Sequence, residues 1–108
     1  MTATLPDRLR RLGGSPRRFA PQQHLFHRSH AVKVIHLVED GEVHLRRHQP
    51  GGAALVVQRA RRDDVFAEAS LFAAAYHCDD AALVPTLTLA IAKPQLRAAM
   101  TQDPDLAR

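Results

Sequence analysis

The sequence predicts a mainly β protein, in which short antiparallel strands form a sandwich or barrel with short helices beside it. From residue 18 onward, short apolar segments are separated by turns that contain glycine or proline. Residues 42–48 alternate between polar and apolar side chains, which is the period of a half-buried strand. Turn sequences at residues 39–41 and 50–52 flank that segment, and glycine supplies the positive φ that such turns need.

The first half of the chain contains most of the predicted strands. A short helix is expected over residues 6–12, because Pro6 is suited to a first helical position and Leu9 and Leu12 can face inward. Residues 13–16 then break the chain. Strands are predicted over residues 19–20, 24–26, 32–38, 42–48 and 53–59, with turns at 21–22, 39–41 and 50–52.

The second half is predicted to mix strands with helices. After a turn at residues 61–64, Val65 and Phe66 lead into an alanine-rich segment, 67–75, that is expected to be a short helix. Strands are predicted over residues 81–84 and 86–92, on either side of Pro85. A final helix is predicted over residues 93–100, with Pro94 in its first turn and an end at 103–105.

Composition indicates one globular domain in a reducing compartment. The chain has 108 residues, of which 45% are hydrophobic, enough to bury a core. Cys78 is the sole cysteine, so an internal disulfide is excluded. No apolar run approaches the roughly 20 residues that span a membrane, and the N-terminus lacks the apolar core of a signal peptide. We therefore expect a cytoplasmic protein with no membrane partner.

Charge is unevenly distributed along the chain. Residues 1–62 hold 12 Lys/Arg against 4 Asp/Glu, whereas residues 63–108 hold 3 against 7. A basic half can attract nucleic acid, and the arginines that would do so are Arg8, Arg10, Arg11, Arg17 and Arg18. No aromatic side chains are interleaved with them, so a solvated basic surface is the favoured interpretation.

No enzyme motif is present. The sequence contains no nucleophile elbow, phosphate-binding loop or zinc-ligand cluster, so we predict a protein without catalytic activity. Histidines are its remaining chemical feature: His24, His27 and His30 are spaced by three, and His36 and His44 could meet across a hairpin. Such spacing converges on a helix, whereas this region indicates strand and loop, so no metal site is predicted.

Two segments resemble a known family. Residues 34–45 are similar to the strand pair with a glycine turn in cyclic-nucleotide-binding domains, and residues 63–72 resemble that family's phosphate-binding cassette. The likeness extends over residues 18–108, and it is nearest to the sensor domains of catabolite-activator-type (CRP/FNR) transcription regulators. It implies an antiparallel jelly roll, also called a double-stranded β-helix, with short flanking helices. The matching positions are Gly41, Gly52, Asp64, Phe66, Glu68, Leu71 and Phe72.

The resemblance also implies a ligand pocket. Glu68 stands where the family binds a ribose hydroxyl, and Ala67 stands where it prefers glycine. Its phosphate-binding arginine and serine correspond to Cys78 and Asp79, and neither can supply the cation that a phosphate needs. We therefore predict weak or absent cyclic nucleotide binding and no cofactor. The candidate pocket residues are Phe66, Ala67, Glu68, Ala69, Ser70, Leu71, Cys78 and Asp79.

These observations predict a regulatory domain. Residues 1–17 are expected to be a basic lead-in, and residues 18–108 a sensor domain without the helix-turn-helix domain of such regulators. Expected partners are a small-molecule effector and a second copy or another chain that supplies a dimerisation helix, with DNA contacted only indirectly. The alternative is a cupin-like, metal-binding jelly-roll enzyme, which predicts histidines that converge inside the barrel.

Overall fold

The computed structural model describes residues 4–26, 31–66 and 79–102. Within these ranges the chain forms a four-stranded antiparallel sheet of order β1-β7-β2-β5 and a three-stranded one of order β4-β3-β6. The predicted mainly β, antiparallel architecture is thus confirmed. The elements in chain order are α1 (Leu5–Arg10), β1 (Ser15–Phe19), β2 (Val34–Asp40), β3 (Glu42–His48), β4 (Ala54–Arg61), β5 (Val65–Phe66), β6 (Asp79–Ala82), β7 (Thr86–Ala92) and α2 (Lys93–Gln102).

Several strand predictions differ from the structure. A break was predicted at residues 13–16 and a strand at 19–20, whereas β1 occupies residues 15–19 because these residues pair with β7. Strands β2 and β4 each end two residues later than predicted, at Asp40 and Arg61.

The strand predicted over residues 24–26 is wrong, because the N–H groups of Leu25 and Phe26 donate to the Asp80 carboxylate instead of to a neighbouring strand. The strand predicted over residues 81–84 begins earlier, at Asp79, and gives way to a bend after Ala82. The helix predicted over residues 67–75 and the helix end at 103–105 lie outside the described residues.

Strand β2 is the centre of the core. Its residues Ile35, His36, Leu37 and Val38 are all buried. Successive side chains of a strand point to opposite faces, so both faces of β2 are covered. The core also draws on the second sheet through Val43 and Ala60 and on the helices through Leu9 and Leu96, as the sequence predicted for Leu9.

Helix α1 is attached to the sheets by one arginine. Thr4 caps the helix, since its hydroxyl accepts from the Asp7 N–H at 3.2 Å. Arg10 then donates to Asp7 within the helix, to Glu39 of β2 at 2.8 Å and to Asp63 in the β4–β5 turn at 2.6 Å. The segment predicted as a lead-in is therefore packed against the sheets, and the boundary at residue 17 remains a prediction.

The β3–β4 hairpin is irregular beyond its middle. A β-bulge lies where the register shifts between Leu45 and Arg46, and the turn at Gly51 and Gly52 has positive φ at both glycines, as the sequence predicted. Beyond the bulge, all four residues 54–57 of β4 are exposed. Because neighbouring side chains point to opposite faces, this part of the hairpin is open to solvent on both faces.

Candidate functional site

Most of the candidate pocket residues fall, along the sequence, in the segment that joins β5 to β6. Phe66 ends β5 and Asp79 begins β6, and these are the two predicted pocket residues that the structure describes. The other six lie outside the described residues: Ala67, Glu68, Ala69, Ser70, Leu71 and Cys78. Their convergence into one pocket therefore stays a prediction.

Phe66 contributes to the core as well as to this region. It is 1% exposed, it pairs with His36 across the sheet, and its ring centroid lies 5.6 Å from that of Phe26. An aromatic pair at this separation stabilises the fold beyond the area it buries. Phe66 thus anchors the start of the candidate segment to the four-stranded sheet.

Asp79 and Asp80 face different environments. Asp79 is half-buried and lies opposite Arg46 in the pairing of β6 with β3. Asp80 is 1% exposed, and its Oδ1 accepts from the N–H groups of Leu25 at 3.0 Å and Phe26 at 3.3 Å. The Oδ2 atom is buried and has no hydrogen-bond partner among the described residues.

Burial changes the ionisation of Asp80. Desolvation outweighs the two N–H donors and raises the pKa of its carboxyl to about 7. His24 lies beside it, with its Nδ1 hydrogen-bonded to the Asp80 carbonyl and 3.8 Å from Oδ1. Asp80 was not among the predicted pocket residues. The signal for it was the Asp79-Asp80 pair itself, because one of two adjacent residues in a buried strand must face inward.

The histidines whose side chains the structure describes do not gather into one site. His36 is buried, with its Nδ1 bonded to the Thr88 hydroxyl at 2.9 Å, and burial followed by the nearby Arg17 charge lowers its pKa to about 4. His44 belongs to the other sheet and bonds Glu42 at 2.7 Å, so His36 and His44 do not meet, which the sequence had left open. In residues 4–26, 31–66 and 79–102, no group of three His, Cys, Asp or Glu side chains is placed to hold a metal ion.

The two antiparallel sheets with short helices beside them define a jelly-roll-like β domain. The family model described as the cyclic nucleotide-binding domain matches residues 16–103. The chain therefore belongs to the cyclic nucleotide-binding domain family, and the resemblance seen in the sequence is confirmed. No curated protein matches the sequence.

Solved bacterial structures share this fold. A regulatory-protein structure from Silicibacter pomeroyi DSS-3 is 29% identical with a TM-score of 0.78, covering 94% of this chain and 46% of that one. The N-terminal domain of a transcriptional regulator from Streptomyces coelicolor A3(2) is 23% identical, with a TM-score of 0.77 over 99% of this chain and 75% of that one. The Thermus thermophilus catabolite activator protein is 22% identical, with a TM-score of 0.78 over 87% of this chain and 45% of that one.

The chain thus spans about half the length of two of these relatives. It shares its fold with the N-terminal domain of the Streptomyces coelicolor transcriptional regulator. Within the described ranges, no helix is both long and apolar enough to cross a membrane.

Proposed function

We propose that this chain is the effector-sensing domain of a CRP/FNR-type transcription regulator of the bacterial cytoplasm, that it has no catalytic activity, and that its pocket has diverged from cyclic nucleotide binding. The family membership and the fold shared with the N-terminal domain of a transcriptional regulator support the first part. The proposed effector is a small molecule. Dimerisation and contact with DNA are proposed to depend on a second copy or on further protein segments, as expected for a domain that spans about half of its relatives.

The observation that carries the proposed divergence is the chemistry at the start of β6. A cyclic phosphate requires a fixed cation and hydrogen-bond donors. Positions 78 and 79, where the family supplies arginine and serine, hold Cys78 and Asp79. Loss of a charge-assisted contact costs about 1.5–3 kcal/mol, and a carboxylate at the same place adds repulsion toward a phosphate.

The neighbouring residues offer little compensation. Arg46 is the basic residue that the register of β3 and β6 places opposite Asp79, next to a carboxylate that competes with a phosphate for its charge. Asp80, the next residue, is turned into the core and holds residues 25 and 26. A cation for a phosphate would have to come from another part of the protein.

The test is a thermal unfolding experiment with millimolar cyclic AMP and cyclic GMP. A ligand at about 100 times its dissociation constant stabilises the native state by roughly 2.7 kcal/mol, which is a readily measured shift. We expect no shift for the wild type. The double variant Cys78→Arg/Asp79→Ser restores the family's pair, and we expect it to gain a shift with a cyclic nucleotide, whereas Asp79→Ser alone gains none.

Each outcome has a definite meaning. A clear shift of the wild type would refute the proposed divergence and return the chain to the cyclic nucleotide sensors. No shift in the wild type, together with a gain in the double variant, would support a pocket that keeps the family's shape and has lost its cation.

A further inference from the structure

One end of the four-stranded sheet carries a concave site. A cavity of about 270 Å³ opens at the end of the four-stranded sheet, where β1 and β2 end and β7 begins. Phe66, the first of the candidate pocket residues, pairs with His36 of β2. Asp40, which lines this cavity, lies four residues further along the same strand. The described residues that line the cavity are Arg18, Phe19, Ala20, Asp40, Pro85, Thr86 and Leu87.

Opposite charges stand on the two sides of this cavity. The register places Arg18 of β1 and Asp40 of β2 on either side of Leu87 in β7. Neighbouring strands lie about 4.8 Å apart, so the main chains of Arg18 and Asp40 are separated by roughly 10 Å. Both residues are exposed, and neither forms an ion pair or side-chain hydrogen bond with another described residue.

The wall of the cavity is held rigidly. Gly41 has a φ of +99°, and a Cβ atom on it would lie 2.5 Å from the Thr86 hydroxyl and 2.7 Å from the Pro85 carbonyl. The turn after β2 is therefore packed directly against residues 85 and 86. Thr86 is buried and donates to the Val84 carbonyl at 2.7 Å, which holds the start of β7 in place.

We propose that this cavity binds a small zwitterion whose ammonium and carboxylate groups are separated by a short apolar chain, the chemical class of the ω-amino acids. The carboxylate pairs with the Arg18 guanidinium and the ammonium with the Asp40 carboxylate. The methylene chain lies over Leu87, between the two charges. The volume is just below the roughly 300–1,000 Å³ of drug-sized sites, so it suits a ligand of this small size.

The charge separation makes the proposal specific. The compound 5-aminopentanoate has its charges at opposite ends of a four-carbon chain, whereas its isomer norvaline carries both on one carbon. Pentanoate and pentylamine each retain one charged end. If Arg18 and Asp40 each bind one charged end of the ligand, 5-aminopentanoate binds more tightly than norvaline, pentanoate or pentylamine.

The experiment is a titration of the ¹⁵N-labelled protein followed by NMR. We expect saturable shifts of the amide signals of Arg18, Asp40 and Leu87 at millimolar 5-aminopentanoate. Arg18→Gln and Asp40→Asn each remove one charge-assisted contact and weaken binding about tenfold. Arg17→Gln, a neutralisation of the adjacent β1 residue that does not line the cavity, leaves binding unchanged.

Three results would overturn the proposal. These are the absence of saturable shifts, binding that neither variant weakens, and binding of norvaline as tight as that of 5-aminopentanoate. None of the described residues that line the cavity is among the candidate pocket residues, so none of these results bears on the proposed function. The control for folding is the melting temperature of each variant, which should equal that of the wild type.

Discussion

Asp80 and His36 are both buried, and we expect their contributions to the pH dependence of the free energy of unfolding to cancel in the wild type. Replacing either residue should make the contribution of the other one measurable. Burial raises the pKa of Asp80 from 3.8 to about 7 and lowers the pKa of His36 from 6.5 to about 4. In both cases the native state favours the neutral form. The two groups lie in different sheets, so each can be altered separately.

The signs of the two effects are opposite. Between pH 3.8 and about 7, Asp80 binds more protons in the native than in the unfolded state, so its contribution to the free energy of unfolding falls as the pH rises. Between pH about 4 and 6.5, His36 binds fewer protons in the native state, so its contribution rises with pH. Across the shared range the two slopes cancel.

The magnitudes follow from the displacement of each pKa. One pH unit between the ordinary and the native pKa corresponds to about 1.4 kcal/mol, which gives about 4 kcal/mol for Asp80 and about 3 kcal/mol for His36. The variant Asp80→Asn keeps an oxygen for the N–H groups of Leu25 and Phe26 and cannot ionise. We therefore expect its stability relative to wild type to rise by about 4 kcal/mol between about pH 4 and pH 8.

The assay is urea unfolding of wild type, Asp80→Asn and His36→Gln at several pH values across that range. His36→Gln serves as the matched variant, since its stability relative to wild type should rise by about 3 kcal/mol as the pH falls from about 7 to 4. Subtracting one curve of free energy against pH from another removes the contributions of the titratable surface groups that all three proteins share. Parallel curves for wild type and Asp80→Asn would refute the argument, because Asp80 would then titrate alike in the native and unfolded states.

Two further predictions concern Gly41 and Arg10. Gly41→Ala should lower the free energy of unfolding, measured with urea, by at least about 2 kcal/mol, because the new Cβ clashes with residues 85 and 86 and φ is positive. Gly51→Ala is the control, since its φ is also positive and the space around its Cβ is open. An equal loss of stability in both variants would contradict the clash. Arg10→Gln should cost about 1 kcal/mol at low salt and less at high salt, since its three ion pairs are partly exposed. The same change at exposed Arg11 should be nearly neutral, and a salt-independent loss at Arg10 would speak against an electrostatic role.

Alternation of Val43 and Leu45 with polar neighbours made β3 of the three-stranded sheet predictable from the sequence. Strand β3 was predicted with the bounds it has, Glu42–His48, because its glycine-containing turns and its period-2 pattern agree. Strand β2 was harder, since Ile35 to Val38 are buried on both faces and alternation disappears when both faces are covered. The resemblance of residues 34–45 to the strand pair of cyclic-nucleotide-binding domains predicted the fold of this region.

The loop at residues 24–26 could not be predicted locally. Its apolar residues Leu25 and Phe26 favour a strand by composition, yet their backbone partner is a side chain more than fifty residues away. The same long-range contact explains why Asp80 was not among the predicted pocket residues. Residue type indicated a charge, whereas the surroundings that make it neutral come from the tertiary fold.

The position of β7 in the four-stranded sheet has a consequence for biosynthesis. Strands β1 and β2 both pair with β7, and they are neighbours of each other only through it. A ribosome that has just translated β2 at Asp40 must add more than forty residues before β7 begins at Thr86, which takes on the order of seconds at about 5–20 residues per second. During that interval the backbone groups of β2 that pair with β7 lack their partners. The β3–β4 hairpin, whose strands are close in sequence, can therefore pair before the four-stranded sheet closes.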